Sequence, residues 1–183
     1  MSGLTALTLI HSVIALTGIL FGFVAMAGMR RGRMSHEVAV IFLSTTTATS
    51  VTGFFFPFVQ FLPAHGVGIV SLIVLLVALF ALYRKQLAGK WRTTYAVAAL
   101  TAQYLNLFVL VAQAFRRVPA LNALAPTQTE PPFAVAEVIV LAAFASFSIA
   151  AVRNFGGAGL ISESRRAAFA SQKSHPADPH QHR

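Results

Sequence analysis

Residues 4–29 read LTALTLIHSVIALTGILFGFVAMAGM and are followed directly by Arg30 and Arg31. The run contains no Asp, Glu, Lys or Arg. At about 1.5 Å per residue, a helix of this length covers the roughly 30 Å hydrocarbon core of a bilayer. Because lipid offers the backbone no hydrogen-bond partner, such a run predicts a transmembrane α-helix.

Four further apolar runs follow along the chain, at residues 38–61, 67–83, 95–115 and 133–152. Together with residues 4–29 they predict five membrane spans. The connecting segments lack the repeated alternating strands that a membrane barrel needs. The sequence therefore predicts an all-α fold, a polytopic transmembrane helical bundle.

The composition of the chain favours the membrane over a soluble class. Of 183 residues, 56% are hydrophobic and only 10% charged, whereas soluble domains carry about 25% charged residues. The net charge is +9, but the basic residues lie in short stretches beside the apolar runs. This placement predicts the lipid bilayer and anionic lipids as partners and no nucleic acid. The absence of cysteine excludes disulfides, thiolate metal sites and thiol catalysis.

The distribution of Lys and Arg predicts the orientation of the chain. With the N-terminus outside, only Arg116 and Arg117 of the 14 basic residues lie outside. The cytoplasmic set is Arg30, Arg31, Arg33, Arg84, Lys85, Lys90, Arg92, Arg153, Arg165, Arg166, Lys173 and Arg183. The positive-inside rule therefore places the N-terminus outside and the C-terminus in the cytoplasm. Residues 1–155 are expected to form one helical bundle, and the Gly-, Ser-, Pro- and His-containing residues 156–183 a flexible cytoplasmic tail.

Polar side chains in the fourth run share one helical face. Gln103, Asn106, Gln113 and Arg117 are spaced by three, seven and four residues. One interpretation is hydrogen bonding between helices, and the other is a polar track that lines a cavity.

The second run contains a cluster of Ser and Thr residues followed by Gly53 and Pro57. Pro57 lacks an amide hydrogen and its ring would clash with the Gly53 carbonyl, so a helix kink is expected there. The kink would suit either close helix packing or, as in transporters, an ion or substrate site.

Small residues line one face of the first run. Gly18 and Gly22 have the four-residue spacing that lets transmembrane helices approach closely. This face predicts a homo-oligomer or a membrane partner that packs at Gly18 and Gly22.

Four polar residues from four different runs are expected at similar depth near the outer face. They are His11, Gln60, Gln113 and Glu137. Glu137 is the only carboxylate within a span, so it is expected either to pair with Arg116 or Arg117 as a structural contact or to form a proton or ligand site with His11. No cofactor is predicted. Haem held by His11 and His65 stays an alternative, and no metal is assigned.

Two segments resemble segments of known proteins. They are TSVTGFFFP at residues 49–57 and LAPTQTEPPF at residues 124–133. Together with YLNLFVLVAQ at residues 104–113, they resemble segments of small uncharacterised bacterial multi-pass inner-membrane proteins. The resemblance implies a bacterial inner-membrane location and assigns no role to any residue.

No Walker motif, nucleophile elbow, zincin helix or dinucleotide fingerprint occurs in the chain, so a non-enzymatic protein is favoured. The first hypothesis is an accessory or small-ligand-binding membrane protein with a polar site near the outer face. A small transporter or channel component is the alternative, and a haem- or quinone-linked redox protein is the third.

Overall fold

The computed structural model describes residues 3–56 and 63–174, without the side chains of residues 63–65 and 159–174. The elements are α1 (Gly3–Arg30), α2 (His36–Gly53), α3 (Pro63–Leu79), a π-helical turn (Phe80–Arg84), α4 (Trp91–Arg117), α5 (Pro119–Leu124) and α6 (Pro131–Ser174). The described residues contain no strand, so the predicted all-α class is confirmed.

Four helical segments are long and apolar enough to cross a membrane: Gly3–Arg30, Gly66–Arg84, Trp91–Arg117 and Pro131–Ala158. They contain the predicted spans at residues 4–29, 67–83, 95–115 and 133–152. Each observed segment extends beyond its predicted span, because a helix continues into the polar interface where charged side chains are tolerated.

The predicted span at residues 38–61 corresponds to α2, which is not among the four apolar segments. Several α2 hydroxyls donate to carbonyls one turn back, namely those of Ser44, Thr45, Thr49 and Thr52. These hydroxyls lower the hydropathy of α2 but are satisfied within the helix. A fifth span stays a prediction, and residues 57–61 lie outside the described residues.

Helices α1 and α2 run antiparallel. Gly18 of α1 faces Thr45 and Thr46 of α2, and His11 faces Thr52, so residue numbers rise along one helix as they fall along the other. Contacts of α4 with α1 show the same antiparallel relation, from Arg92 at Gly32 to Gln103 at Ile19.

Helix α6 runs antiparallel to α4, because the ring pairs Tyr104–Phe144 and Phe115–Phe133 follow one another in opposite order along the two helices. Since α4 is antiparallel to α1, α6 is parallel to α1. The Asn154 side chain donates to the Arg30 carbonyl, and the Arg30 guanidinium lies 5.0 Å from the Phe147 ring centroid. Because α3 also packs between α2 and α4, the five long helices form an up-and-down bundle.

The described charges are divided between the two ends of this bundle. One end, here called the basic end, holds the 31–35 and 85–90 connections together with Asn154. Its cations are Arg30, Arg31, Arg33, Arg84, Lys85, Lys90, Arg92 and Arg153. The opposite end, here called the loop end, holds residues 118–130 with Arg116, Arg117 and Glu130 nearby.

Helix α4 has the most buried surface of the bundle. Its inward residues are small, among them Ala96, Ala98, Ala99 and Ala102, which lets α1, α3 and α6 pack closely on it. Large apolar side chains such as Leu20, Leu76 and Val138 are instead more than half exposed on the outside. An outward apolar surface of this kind suits contact with lipid tails.

Helix α6 continues past the predicted span end at Val152 and reaches Ser174. Residues 156–174, which the sequence assigns to a flexible tail, are therefore helical. The glycines at the start of this stretch lie within the helix, where Gly156 is buried and a Cβ would collide with the Thr93 hydroxyl. Residues 160–174 include three Ala and two Arg, which favour helix.

Candidate functional site

The His11 side chain is oriented by a hydrogen-bond chain in the loop-end half of the bundle. Its Nδ1 atom lies 2.9 Å from the Thr52 hydroxyl oxygen, and that hydroxyl lies 2.7 Å from the Ala48 carbonyl oxygen. A hydroxyl has one hydrogen to donate, and a carbonyl can only accept. Thr52 therefore donates to Ala48 and accepts from the His11 Nδ1–H.

This arrangement decides which imidazole nitrogen of His11 is free to react. When Nδ1 carries the proton, the neutral ring keeps the lone pair on Nε2. Proteins orient histidines that take up protons or bind ligands by a hydrogen bond from a second group to one ring nitrogen. His11 has the features of a proton acceptor or a single metal ligand.

The surroundings of His11 are the end of α2 and the turn that follows. The Phe56 ring meets the imidazole edge-on, with 5.2 Å between centroids. Gly53 is the last residue of α2, and a Cβ added there would contact His11 Cε1 at 3.8 Å. The kink predicted at Gly53 and Pro57 stays a prediction, because Pro57 lies outside the described residues.

Glu137 is the carboxylate that the sequence places within a span, and it is buried. Glu137 is only 8% exposed, and neither of its carboxyl oxygens has a hydrogen-bond partner among the residues that the structure describes. It shares the inner face of α6 with Phe144 and Phe155, which are buried about two and five turns further along. A buried group of this type without a donor strongly disfavours the ionised form.

His11 and Glu137 lie at similar depth. Asn154 bonds to the Arg30 carbonyl between parallel helices, His11 precedes Arg30 by 19 residues, and Glu137 precedes Asn154 by 17. At 1.5 Å per residue, the two positions differ in depth by about 3 Å. No hydrogen bond joins them, because His11 bonds to Thr52 and Glu137 has no partner in the described chain.

Glu137 accepts no hydrogen bond from its predicted partners Arg116 and Arg117, or from Gln113, which is predicted at the same depth. Gln113 accepts at 3.2 Å from Arg117 Nε within α4, and the exposed Arg116 and Arg117 donate no hydrogen bond to Glu137. Gln60 lies outside the described residues. The structure therefore brings His11 and Glu137 to one level without the predicted arginine contact.

The polar face of α4 is used in contacts between helices. Gln103 is fully buried and its Nε2 donates to the Ile19 carbonyl oxygen at 2.9 Å. Asn106 Nδ2 donates to the buried Thr46 hydroxyl at 3.3 Å. These bonds agree with the first of the two interpretations, in which the face joins α4 to α1 and α2.

The small face of α1 is buried inside the same chain. A Cβ at Gly18 would lie 3.2 Å from the hydroxyl oxygens of Thr45 and Thr46, and one at Gly22 would overlap the Gln103 amide. The close approach that the spacing predicts is therefore made by α2 and α4. Association with a second chain stays a prediction and would need another surface.

Two apolar grooves lie on either side of α4. The α3/α4 groove, of about 460 Å³, runs between Val70 and Val77 on one helix and Thr93 and Thr101 on the other. The α4/α6 groove, of about 410 Å³, is lined on α6 from Leu141 to Arg153. Of the predicted polar site residues that the structure describes, none lines either groove.

The contacts of Arg92 at the basic end could not be predicted from the sequence. Arg92 Nε donates to the Phe155 carbonyl oxygen at 2.7 Å, and its NH2 group donates to the Gly32 carbonyl oxygen at 3.3 Å. The Arg92 guanidinium also lies 4.1 Å from the Phe155 ring centroid. Three distant segments meet at this arginine, and no local pattern in the sequence pairs them.

Within the described residues, no group of three His, Asp or Glu side chains could hold a metal ion. The side chain of His65, the second residue considered for haem, is not among the described side chains. Comparison of the chain with known protein families, curated protein sequences and solved structures finds no match. The site is therefore interpreted from its own geometry.

Proposed function

We propose that this chain is a non-enzymatic accessory membrane protein that binds a proton near its outer face. The bound proton resides on Glu137, and His11 is the second protonatable group at the same depth. The observation that carries the proposal is the buried Glu137 carboxyl, whose two oxygens have no donor among the described residues. Ionisable groups kept inside a membrane bundle mark functional sites more often than structural ones.

The size of the site favours a proton over a larger ligand. Neither apolar groove reaches His11 or Glu137, and the carboxyl oxygens are out of contact with solvent. A proton needs no cavity, and it removes the charge that burial makes unfavourable. The groups that face this level are Tyr104 and Gln113 of α4, His11 of α1, and Arg116 and Arg117 beyond them at the loop end.

Chemical labelling tests this proposal. Dicyclohexylcarbodiimide is an apolar reagent that reacts with protonated carboxyls and not with carboxylates. We expect it to modify Glu137 at neutral pH and to leave Glu130 unmodified, with each site identified by peptide mass. A Glu137→Gln variant supplies the blank, and modification of Glu130 without Glu137 would contradict the proposal.

The proposal includes a bacterial inner-membrane location and five spans, with the N-terminus outside and the C-terminus in the cytoplasm. Support for a spanning α2 comes from its packing along α1 from the Arg30 end to the level of His11, which covers most of the α1 length. The eight described cations at the basic end support a cytoplasmic assignment for that end.

Reporter fusions distinguish five spans from four. Five spans place the two termini on opposite sides of the membrane, whereas four place them on the same side. We expect a reporter after Ser174 to be active only in the cytoplasm and one before Gly3 only outside. Activity of both reporters on one side would contradict the five-span topology.

The free Nε2 of His11 supports a second candidate function, in which the imidazole is an axial ligand of haem. An absorption spectrum of the protein purified from haem-replete cells tests it. A Soret band that is lost in His11→Ala would favour this redox function over the proton site. The absence of a Soret band would remove it.

A further inference from the structure

The α6 wall of the α4/α6 groove has about the length of one membrane leaflet. It extends from Leu141 to Arg153, a separation of 12 residues that corresponds to about 18 Å of helix. Half of a bilayer hydrocarbon core is about 15 Å. The groove thus begins at the basic end, where Arg153 lies, and ends near the middle of the bilayer.

The lining of the groove is mostly apolar, with Thr101, Tyr104 and Ser148 as polar members, and it is cationic at one end. Phe144, Ala145 and Val152 supply apolar surface on α6, and Val97 and Leu100 supply it on α4. Arg153 is exposed at the basic end. A chain-like apolar molecule with an anionic head matches this distribution.

Arg153 is available to bind an anion. Arg92 bonds to two carbonyls and covers a ring, and Arg30 covers the Phe147 ring. Among the described residues, no hydrogen bond, ion pair or ring contact engages Arg153. A planar guanidinium can donate two parallel hydrogen bonds to a phosphate.

The α3/α4 groove supplies an internal comparison. It has a similar volume, of about 460 Å³, and an apolar lining from Val70 to Val77, but no Lys or Arg lines it. Lipid tails can enter both grooves, whereas only the α4/α6 groove offers a cation to the head group. Selectivity for head-group charge is therefore expected at one groove and not at the other.

We propose that the α4/α6 groove binds one anionic phospholipid of the leaflet at the basic end. One acyl chain lies between α4 and α6, and the phosphate accepts hydrogen bonds from the Arg153 guanidinium. The inference is independent of the proton site, because neither His11 nor Glu137 lines this groove.

Photolabelling in nanodiscs tests the lipid site with matched variants. The probe is phosphatidylglycerol with a diazirine in one acyl chain, and phosphatidylethanolamine with the same chain is the zwitterionic comparison. We expect the anionic probe to label α4 and α6 between Val97 and Arg153 more strongly than the zwitterionic probe. Arg153→Gln should lower this labelling about fivefold, the factor that corresponds to about 1 kcal/mol for one cation near an anionic lipid.

Three further variants separate the site from general effects. Arg84→Gln removes the same charge at the same end but outside both grooves, so labelling should be unchanged. Ala145→Phe fills the α4/α6 groove and should abolish the selective label, whereas Val70→Phe in the α3/α4 groove should not. Circular dichroism of each variant reports whether the helices are retained.

Three results would overturn the proposal. If Arg153→Gln is labelled by the anionic probe as strongly as wild type, the cation does not select the lipid. If Arg84→Gln loses as much labelling as Arg153→Gln, only the net charge of the basic end matters. Cross-linking of α4/α6 residues to a second copy of the chain, with lipid excluded, would identify a protein occupant and contradict the lipid site.

Discussion

Gly22 and Gln103 mark a close approach of α1 to α4. A Cβ at Gly22 would overlap the Gln103 side-chain amide, and that amide donates from Nε2 to the Ile19 carbonyl oxygen at 2.9 Å. The absent side chain at Gly22 thus makes room for the buried Gln103 side chain and its hydrogen bond. This pair fixes α4 on α1 in the middle of the bundle.

We expect Gly22→Ala to destabilise the bundle by about 1–2 kcal/mol, because Gln103 must move and lose its bond to Ile19. Gly157→Ala is the matched control, since a Cβ at this helical glycine meets nothing within 4 Å. The control should be neutral or slightly stabilising. Thermal unfolding in detergent measures both, and equal unfolding temperatures would contradict the close approach.

The tautomer of His11 should depend on Thr52. Thr52→Val removes the acceptor for the Nδ1 proton, so the neutral ring should shift toward the Nε2-protonated form. Thr49→Val is the control, because the Thr49 hydroxyl bonds to the Thr45 carbonyl and not to His11. Imidazole nitrogen shifts in solid-state NMR, assigned with His11→Gln, distinguish the tautomers. An unchanged His11 tautomer in Thr52→Val would refute the hydrogen-bond direction assigned here.

The contacts of Arg92 at the basic end should stabilise the fold more than an exposed surface charge does. Arg92→Gln loses bonds to the Phe155 and Gly32 carbonyls and the contact with the Phe155 ring. We expect a loss of about 2 kcal/mol in unfolding free energy. Lys90→Gln, an exposed cation two residues away, should change stability by less than about 0.5 kcal/mol. Similar losses in both variants would argue against the contact.

The loop at residues 125–130 should loosen in acid. Desolvation acts to raise the pKa of Glu130, but hydrogen bonds from the Thr127 hydroxyl and the Thr127 and Thr129 amides outweigh it and lower this pKa. A lowered pKa means that the carboxylate stabilises the loop above the ordinary Glu value of about 4.3. The stabilisation is lost as pH falls below that value and through the lower folded pKa.

Hydrogen exchange of the Thr127 and Thr129 amides measures this effect. Protection, corrected for the intrinsic pH dependence of exchange, should fall in the acid range for wild type. Glu130→Gln should show weak protection and no such pH dependence. A wild-type profile that is flat in the same range would contradict the role assigned to Glu130.

The helices themselves could be predicted from the sequence because hydrophobic runs are a local property. Four observed helical segments contain their predicted spans. The end of α2 at Gly53 and the continuation of α6 to Ser174 could not be predicted in this way. Both depend on packing and on turn geometry, as the contact of Gly156 with Thr93 illustrates.

For the candidate site, only the depth of the residues in the membrane could be predicted from the sequence. Sequence position gives the distance of His11 and Glu137 along their helices, but not the direction in which each side chain points. The partners Thr52 for His11 and Ile19 for Gln103 are separated from them by 41 and 84 residues. Such pairs become visible only when the arrangement of the helices in space is known.

The protonation state of Glu137 at neutral pH is the most direct test of the account. Infrared spectra of the protein in lipid should show the C=O stretching band of a protonated carboxyl, which shifts on exchange into deuterated water. We predict that this band is lost in Glu137→Gln and retained in Glu130→Gln. A spectrum without the band, or a band that persists in Glu137→Gln, would contradict a proton bound at Glu137.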